Sequence, residues 1–396
     1  MKRAWSSLER ASWREMWREM LRRALGTKRT ALLAALGLAA AAFGLGACSS
    51  IGYYSQSIEG HLDILHAARP IDDWLDDPAT SAVLRHRLER VRTIRRFAAH
   101  ELGLPDNRSY TTYADLKRPF AVWSVFATPE LSLRLKQWCF PVVGCVAYRG
   151  YYSKDDADLY AEALRESGDD VYVGGVPAYS TLGYTTDPVL STFIGFPEGE
   201  VARLIFHELA HQVVYVQGDT AFNESFAVAV EEEGVRRWFA LQGADNAASA
   251  EAYRQLIARK RVFVELLARH RKALESVYAS PASVDAKRVA KQNGFAALHA
   301  DYESMKRDPA SPLYGFAGYD RYFAQALNNA NLAAVATYTQ RVPAFAKLLA
   351  EANGDLPRFY QAVRGLAQLP VAERNAHLDA LIGSSSLHAE RTNGKD

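Results

Sequence analysis

A short polar motif inside an apolar stretch is the feature that most constrains how this chain can fold. The motif is HELAH at residues 207–211, and the residues around it, from 204 to 214, are mostly apolar. Residues at positions i and i+4 lie about one turn apart on the same face of a helix. An apolar helix cannot bury two histidines and a glutamate without partners, because unpaired polar groups in a core are costly. The motif therefore predicts a buried helix whose polar face has a specific task.

The motif matches the HExxH signature, in which two histidines of one helix bind zinc. His207 and His211 are expected to donate neutral imidazole nitrogens to one Zn²⁺ ion. Glu208 follows the first ligand, which is the position of a general base acting on a zinc-bound water. The alternative is a chance match on a solvated helix, and the apolar surroundings argue against it.

A second helical pattern after the motif predicts the third ligand. Catalytic zinc takes three protein ligands and keeps one open position, and two histidines with one glutamate are a standard set. Gly218 is expected to end the first helix, and Asp219 or Thr220 to begin the second. A short turn between antiparallel helices would then bring Glu224 back against the histidines. Asp219 itself remains an alternative third ligand.

Glu231 follows Glu224 on the same predicted helix, two turns further along one face. From there it could accept a hydrogen bond from a ligand imidazole and so orient the ring. The alternative is that Glu231 belongs to a solvated acidic run over residues 231–233.

The N-terminal segment predicts an exported lipoprotein. Residues 31–47 form an apolar run preceded by two basic residues, with the length of a signal-peptide core and short for a membrane span. The run ends in LGAC at 45–48, which resembles a bacterial lipobox with Cys48 as the lipidated residue. We therefore expect a membrane-anchored protein of the bacterial cell envelope that faces the periplasm, with its anchor in the outer membrane. An uncleaved anchor helix is the alternative.

Cysteine content agrees with export. After Cys48, only Cys139 and Cys145 remain, and an exported compartment permits a disulfide between them. A pair of buried free thiols is the alternative. The net charge of +2 gives no indication of a nucleic-acid partner, and the oligomeric state cannot be read from the sequence.

The chain divides by pattern into four regions. They are a signal peptide (1–47), a tether with N-terminal helices (48–118), a catalytic core (119–240) and a helical part that completes the cleft (241–396).

Strands and helices are expected in separate parts of the chain. The β-rich runs 122–126, 131–135 and 142–148 predict a small antiparallel sheet. Residues 81–102 have helical periodicity with arginines on an expected solvated face, and almost everything after residue 198 is helical. The layout indicates a predominantly helical α+β fold of zincin type.

The strand at 171–176 is the last one before the motif. In zincins an edge strand beside the metal helix binds the substrate backbone by strand addition. Gly174 and Gly175 would allow a close backbone approach, and Tyr179 follows them, so these residues are the predicted substrate contacts. An ordinary turn-rich edge is the alternative.

Four segments resemble a zinc aminopeptidase family of Gram-negative bacteria, whose members are gluzincin-like lipoproteins of the pattern HExxH…NExFA. They are WCFPVVGCVAYRGYY (138–152), DVYVGGVPAYSTLGY (170–184), RLIFHELAHQVVYVQGDTAFNESFA (203–227) and NNANLAAVATY (328–338). The resemblance implies a zinc peptidase of predominantly helical α+β fold. NESFA is similar to the element that supplies the glutamate ligand in gluzincin aminopeptidases, although the spacing from His211 to Glu224 is shorter here. The GAMEN-type element that recognises a free α-amine is absent.

The resemblance also implies a downstream tyrosine or histidine that stabilises the oxyanion. Tyr338 ranks first because it follows an asparagine-rich segment, with Tyr319, Tyr179 and His299 behind it. The asparagines of 328–331 either cap a helix or face the cleft, and at least one is expected to be a cap.

The expected function is zinc-dependent hydrolysis of peptide bonds by an aminopeptidase, with peptides as substrates. Alternatives are an envelope endopeptidase or murein-peptide hydrolase, and a non-catalytic zinc-binding lipoprotein. The intact Glu208 argues against the last, because a purely structural site needs no general base.

Overall fold

The computed structural model of the protein describes residues 52–140, 144–178 and 180–392. The predicted signal peptide and the predicted lipidation site Cys48 lie outside the described residues.

The chain divides into two units, residues 1–59 and 60–396. In the first, the described residues 52–59 are helical. Apart from the first residues of helix α1, the description that follows concerns the second unit. The predicted boundaries after residues 118 and 240 stay predictions.

Helices make up most of the described chain. They are α1 (residues 52–67), α2 (Ile71–Asp76), α3 (Ala82–His100), α4 (Lys154–Glu166), α5 (Glu198–His211), α6 (Thr220–Gln242), α7 (Ala247–Ala279), α8 (Val284–Arg307), α9 (Asp320–Phe323), α10 (Asn329–Thr339), α11 (Val342–Glu351), α12 (Leu356–Ala367) and α13 (Val371–Thr392). Ser81 caps α3 at the boundary that the sequence predicts, and Ser153 caps α4; each side chain accepts a backbone N–H. None of the helices in the described ranges is long and apolar enough to cross a membrane.

The strands are short and form small sheets. They are β1 (Ala68–Pro70), β2 (Thr112–Ala114), β3 (Val122–Pro129), β4 (Trp138–Phe140), β5 (Gly144–Val146), β6 (Arg149–Tyr151), β7 (Asp169–Val176) and β8 (Val189–Leu190). The order β6-β3-β7 is antiparallel throughout, and β4 pairs with β5 in a hairpin. A further sheet, β1-β2-β8, contains one parallel pair and has no clear signal in the sequence.

The predicted strand at residues 131–135 is wrong. Lys136 N–H still donates to the Ala127 carbonyl oxygen at 2.8 Å, but the leucines before it leave the sheet. Leu133 is buried among side chains of the α7–α8 region, and Leu135 packs near Phe126. Burial against helices therefore decides the path of this segment, rather than strand pairing.

The core is organised around α5 and α6. Phe206 of α5 packs against Phe97 of α3, with ring centroids 5.8 Å apart, and Phe97 meets Trp238 of α6 edge to face at 5.1 Å. A Cβ at Gly234 of α6 would lie 2.7 Å from the Phe206 ring. The missing side chain therefore lets α6 approach α5 closely. The fold is α+β and predominantly helical, as the sequence predicts.

Candidate active site

Helix α5 carries the polar motif at its own C-terminal end. Glu198 and Glu200 lie in its first turn, where negative charge favours a helix, and His211 is its last residue. His207, Glu208 and His211 are only 7%, 8% and 7% exposed. These buried polar groups must find their partners in another element.

The turn between α5 and α6 is held by the side chain of Asn223. Its amide donates to the Val216 carbonyl oxygen and accepts from the Val216 N–H, both at 2.8 Å. Gly218 has a φ of 82°, a conformation that suits glycine. The sequence places Gly218 at the end of α5, but the helix ends at His211 and the glycine instead shapes the turn before α6.

The carboxylate of Asp219 makes two other interactions. Its carboxylate caps α6 by accepting the Phe222 N–H at 3.1 Å. The same side chain pairs with buried Arg374, with Nη2 and Oδ2 2.8 Å apart. The alternative in which Asp219 is the third ligand is therefore not supported.

The turn brings Glu224 of α6 against both histidines. Glu224 Oε2 lies 3.2 Å from His207 Nε2 and 3.7 Å from His211 Nε2. One ligand atom from each of these buried residues lies within 4.8 Å of the others, an arrangement that could hold a metal ion. Two imidazoles and one carboxylate are also the donor types that catalytic zinc takes, so the residues fit the predicted metal.

Glu231 contacts this group through the Nδ1 atom of His207. Its Oε2 lies 2.8 Å from His207 Nδ1 and 3.1 Å from Arg203 Nη1, and its Oε1 lies 3.5 Å from Lys260 Nζ. The side chain is fully buried. Burial alone would favour the neutral acid, but the positive charges of Arg203 and Lys260 hold the pKa of Glu231 well below its usual range. An ionised Glu231 accepts the Nδ1–H of His207, so Nε2 is the nitrogen that would bind a metal, with release of its proton.

Burial and nearby charges shift the pKa values of Glu208, His207 and His211 in different directions. Burial raises the pKa of Glu208 to about 7, against the opposing influence of His207. Burial opposes the charged form of His207, but the carboxylates of Glu224 and Glu231 outweigh it and raise its pKa to about 10. Burial lowers the pKa of His211 to about 4. A carboxyl group with a pKa near neutrality is suited to taking up and releasing a proton.

The two histidines differ in the surroundings of their Nδ1 atoms. Nδ1 of His207 faces Glu231, whereas Nδ1 of His211 is buried and has no hydrogen-bond partner within the described residues. The ring of Tyr215 meets His211 edge to face at 6.5 Å. Burial and the charge of Glu224 raise the pKa of Tyr215 to about 12, so its hydroxyl stays protonated. Sequence reasoning missed Tyr215, because nothing distinguishes it from other aromatic residues of the turn.

Tyr338 of α10 lies close to the same carboxylates. Burial, together with the negative charges of Glu224 and Glu208, raises the pKa of Tyr338 well above its usual value. A phenol in this state is a hydrogen-bond donor at any physiological pH. Among the predicted oxyanion donors that lie in the described residues, Tyr338 is the one whose pKa responds to the charges of Glu224 and Glu208.

The asparagines before Tyr338 fix the position of α10. Asn328 caps the helix in a capping box with Asn331, which confirms the prediction of at least one cap. The Asn328 amide also donates to the Val171 carbonyl oxygen of β7 at 3.0 Å. Buried Asn329 donates its backbone N–H to Asp170 at 2.9 Å. The asparagines therefore tie α10 to the sheet.

Two of the oxyanion candidates, Tyr319 and His299, lie in other surroundings than the sequence suggests. The Tyr319 ring stacks on Phe263 of α7, with centroids 4.1 Å apart, in a separate aromatic cluster. His299 is exposed on α8 with its ring against Phe323. Hydrophobic packing among α7, α8 and α9 accounts for both positions. Tyr179 lies outside the described residues.

The predicted substrate strand is found at a sheet edge. Among the described strands β7 pairs only with β3, and Gly174 and Gly175 lie opposite Ser124 and Trp123 in that ladder. A Cβ at Gly175 would lie 2.4 Å from the ring of Phe120. The missing side chain at Gly175 is thus accounted for by Phe120, and an approach by substrate stays a prediction.

The hairpin β4–β5 carries a disulfide between Cys139 and Cys145. A Cβ at Gly144 would lie 2.5 Å from the Gln217 side chain and 2.8 Å from the Gly218 nitrogen. The hairpin therefore packs directly on the turn between α5 and α6.

Asp187 is a buried carboxylate that sequence reasoning did not identify. It accepts the Thr181 hydroxyl at 2.7 Å and the Ser180 hydroxyl at 3.3 Å. Its charge reaches Glu208 and helps raise the pKa of that group. Burial raises the pKa of Asp187 as well. No spacing rule connects residues 187 and 208, so only the fold shows that they are neighbours.

A search of curated proteins and a search of solved structures gave no match to this chain. A comparison with models of protein families did give one: the family described as "Putative aminopeptidase" matches residues 52–378. This span contains the predicted metal ligands, Glu208, Tyr338 and both cysteines of the disulfide. Because the match covers most of the chain, the protein belongs to this aminopeptidase family.

Proposed function

We propose that the protein is a zinc-dependent aminopeptidase, in which His207, His211 and Glu224 hold the ion and Glu208 is the general base. The observation that carries the proposal is the convergence of three buried donor atoms within 4.8 Å of one another. Membership of the family supports a peptidase, and the donor types favour zinc.

The bound ion would supply a Lewis acid that polarises the scissile carbonyl and lowers the pKa of water. Glu208 takes one proton from the attacking water while the water oxygen bonds to the carbonyl carbon. The carbon–nitrogen bond then breaks, and Glu208 returns the proton to the leaving amine. A carboxyl group with a pKa of about 7 can perform both transfers at neutral pH.

The oxyanion that forms during attack needs a hydrogen-bond donor aimed at it. We assign this role to the hydroxyl of Tyr338, whose proton is retained because burial and the nearby carboxylates raise its pKa. Tyr215 is the second candidate, since its ring meets that of His211 and its hydroxyl stays protonated.

The substrate backbone would add to the outer edge of β7 in the manner of zincins. The unpaired side of β7 supports this assignment, since within the described sheets the strand has one neighbour only. The Asn328 amide already donates to the Val171 carbonyl oxygen. The part of the edge that could pair with a substrate therefore lies toward Gly174 and Gly175.

We further propose that the protein is a lipoprotein of the bacterial envelope, anchored through Cys48 and facing the periplasm. The lipobox-like sequence carries this proposal. The disulfide between Cys139 and Cys145 agrees with an oxidising compartment. Labelling of cells with a radioactive fatty acid tests it: wild type should be labelled and Cys48→Ser should not.

Hydrolysis of matched peptides with free and blocked N-termini tests the proposed function. We expect cleavage of the free peptides only, loss of activity with a chelator, and recovery on adding zinc. Cleavage of N-blocked peptides would show an endopeptidase instead, and cleavage of cell-wall peptides would show a murein-peptide hydrolase. Full activity after removal of the metal would contradict every metallopeptidase reading, and zinc binding without any hydrolysis would show a binding protein.

A further inference from the structure

A cavity of about 250 Å³ lies beside the C-terminal half of α3, and none of the residues that line it is assigned a role above. Arg92, Arg95, Arg96 and His100 of α3 line it. Their spacing puts them on one face of the helix. The sequence predicts a solvated arginine face here, and Arg92, Arg96 and His100 are indeed exposed. The same face, together with buried Arg95, lines the cavity.

The charges around the cavity do not balance. Three arginines line it but only two aspartates do, Asp72 and Asp106, which leaves an excess of one positive charge before His100 is counted. Asp72 lies 3.2 Å from Arg92 and Asp106 lies 3.7 Å from Arg95. Both aspartate side chains are strongly exposed, at 75% and 80%, and exposed pairs are weak. The two aspartates therefore hold the arginines only weakly and leave one formal positive charge without a counter-ion in the lining.

Arg95 is the buried member of the set, with 5% of its surface exposed. Its Nε donates to the Ser109 carbonyl oxygen at 2.9 Å, and its Nη2 donates to the carbonyl oxygens of Pro105 and Asn107 at 2.7 and 3.0 Å. Its Nη1 is buried and has no hydrogen-bond partner in the described part of the chain. A buried charged donor without a partner is rare and calls for an acceptor such as a water or an ion.

A strained residue lies in the same wall. Tyr110 has a φ of 64° although its ring is bulky and 2% exposed. Such a backbone conformation is an outlier for an aromatic residue and persists only where the surroundings enforce it. Strain of this kind concentrates at functional sites.

We propose that this cavity binds a small molecule through a carboxylate or phosphate group, held by the guanidinium groups of Arg92 and Arg96. The planar guanidinium can donate two parallel hydrogen bonds to such a group. Within the described residues Arg96 has no ion-pair partner, and Arg92 has only exposed Asp72. The volume is below that of typical drug-sized pockets, so the ligand is a small anion.

The segment after α3 links this cavity to the active site. Arg95 binds three carbonyl oxygens of the segment 105–109. The same segment contacts Gln212, the residue after His211. The Asn107 amide donates to Gln212 Oε1 at 2.6 Å, and the Gln212 amide donates to the Ser109 hydroxyl at 3.3 Å. An anion beside Arg95 would therefore stabilise the contacts that support the C-terminal end of α5.

Thermal unfolding of the full protein in increasing inorganic phosphate or succinate tests the proposal. We expect a saturable rise of the melting temperature with at least one of the two anions. Which anion acts identifies the group that is bound. Arg96→Gln and Arg92→Gln should each weaken the apparent affinity at least about tenfold, because each removes a charge-assisted donor.

Arg261→Gln is the matched control. It removes the same charge from an exposed arginine of α7, whose side chain is 73% exposed, and should leave the affinity unchanged. An anion that instead bound at the metal-ligand group would give the same affinity in the arginine variants as in wild type. That result would overturn the proposal. So would a rise of the melting temperature that does not saturate and is the same in wild type and in every variant. Neither outcome depends on whether the protein hydrolyses peptides.

Discussion

Two faces of opposite chemistry meet at the candidate active site. The helix pair α5 and α6 contributes buried charges, with His207 between Glu224 and Glu231 and with Arg203 behind them. Helix α10 contributes the phenol of Tyr338, which burial and the nearby carboxylates keep neutral. Buried charges depend on every partner, whereas a neutral phenol needs only one hydrogen bond. Changes in the helix pair should therefore cost more than changes in the facing wall.

The largest effect is expected from Glu224→Gln. The neutral amide removes one of three metal ligands, so we expect loss of stoichiometric zinc and of detectable peptide hydrolysis. Metal content after dialysis is the measurement. Asp219→Asn is the control, since asparagine can still cap α6, and it should retain the metal. If Asp219→Asn lost the metal and Glu224→Gln kept it, the assigned ligand set would be wrong.

Glu231→Gln should affect both metal and stability. It leaves Arg203 and Lys260 beside a neutral group in a buried position, so the free energy of unfolding should fall by about 3 kcal/mol. Affinity for zinc should fall by about 10- to 100-fold, because His207 loses its charged orienting partner. Denaturant titration and metal titration measure the two effects. Glu232→Gln, a neighbouring exposed glutamate, should change neither, and equal effects in both variants would refute the role of Glu231.

Tyr338→Phe separates the two faces most cleanly. Removing the hydroxyl should lower kcat by about 100- to 1,000-fold, the usual cost of one oxyanion donor, with zinc content and stability close to wild type. Steady-state kinetics on one peptide give the answer, with Tyr215→Phe as the comparison. A large loss of kcat in Tyr215→Phe alone would transfer the role to that residue.

The smallest effect concerns the sheet edge. Gly175→Ala places a Cβ 2.4 Å from the Phe120 ring and should destabilise the protein by about 1–3 kcal/mol. At Gly150 of β6, a Cβ would meet no atom of the described residues within 4 Å, so Gly150→Ala should be milder. Thermal unfolding of both variants compares them. Equal melting temperatures would show that Phe120 gives way to the added methyl group.

The sequence predicts the charged face well because that face is local. The i and i+4 spacing of His207 and His211 is a property of any helix, and a short turn suffices to return Glu224 to them. The position of Glu231 follows from the same helix. These contacts need no knowledge of the rest of the fold.

The remaining parts depend on contacts between distant segments. The charge of Asp187 acts on Glu208 although the two residues are 21 positions apart in the sequence, and no periodicity of the sequence indicates that. Tyr338 could be ranked first only by resemblance. Tyr319 lies in an aromatic cluster that the composition of the chain does not reveal. Leu133 shows the same limit, since an apolar run can be buried against helices as well as in a sheet.

The central claim is that Glu208 moves the proton in a metal-dependent hydrolysis, and Glu208→Gln tests it most directly. Glutamine keeps the shape of the side chain but cannot act as a base. With zinc content measured on the same sample, we expect wild-type metal occupancy and a loss of kcat of about 100- to 10,000-fold. Peptide hydrolysis at the wild-type rate with zinc still bound would contradict the account.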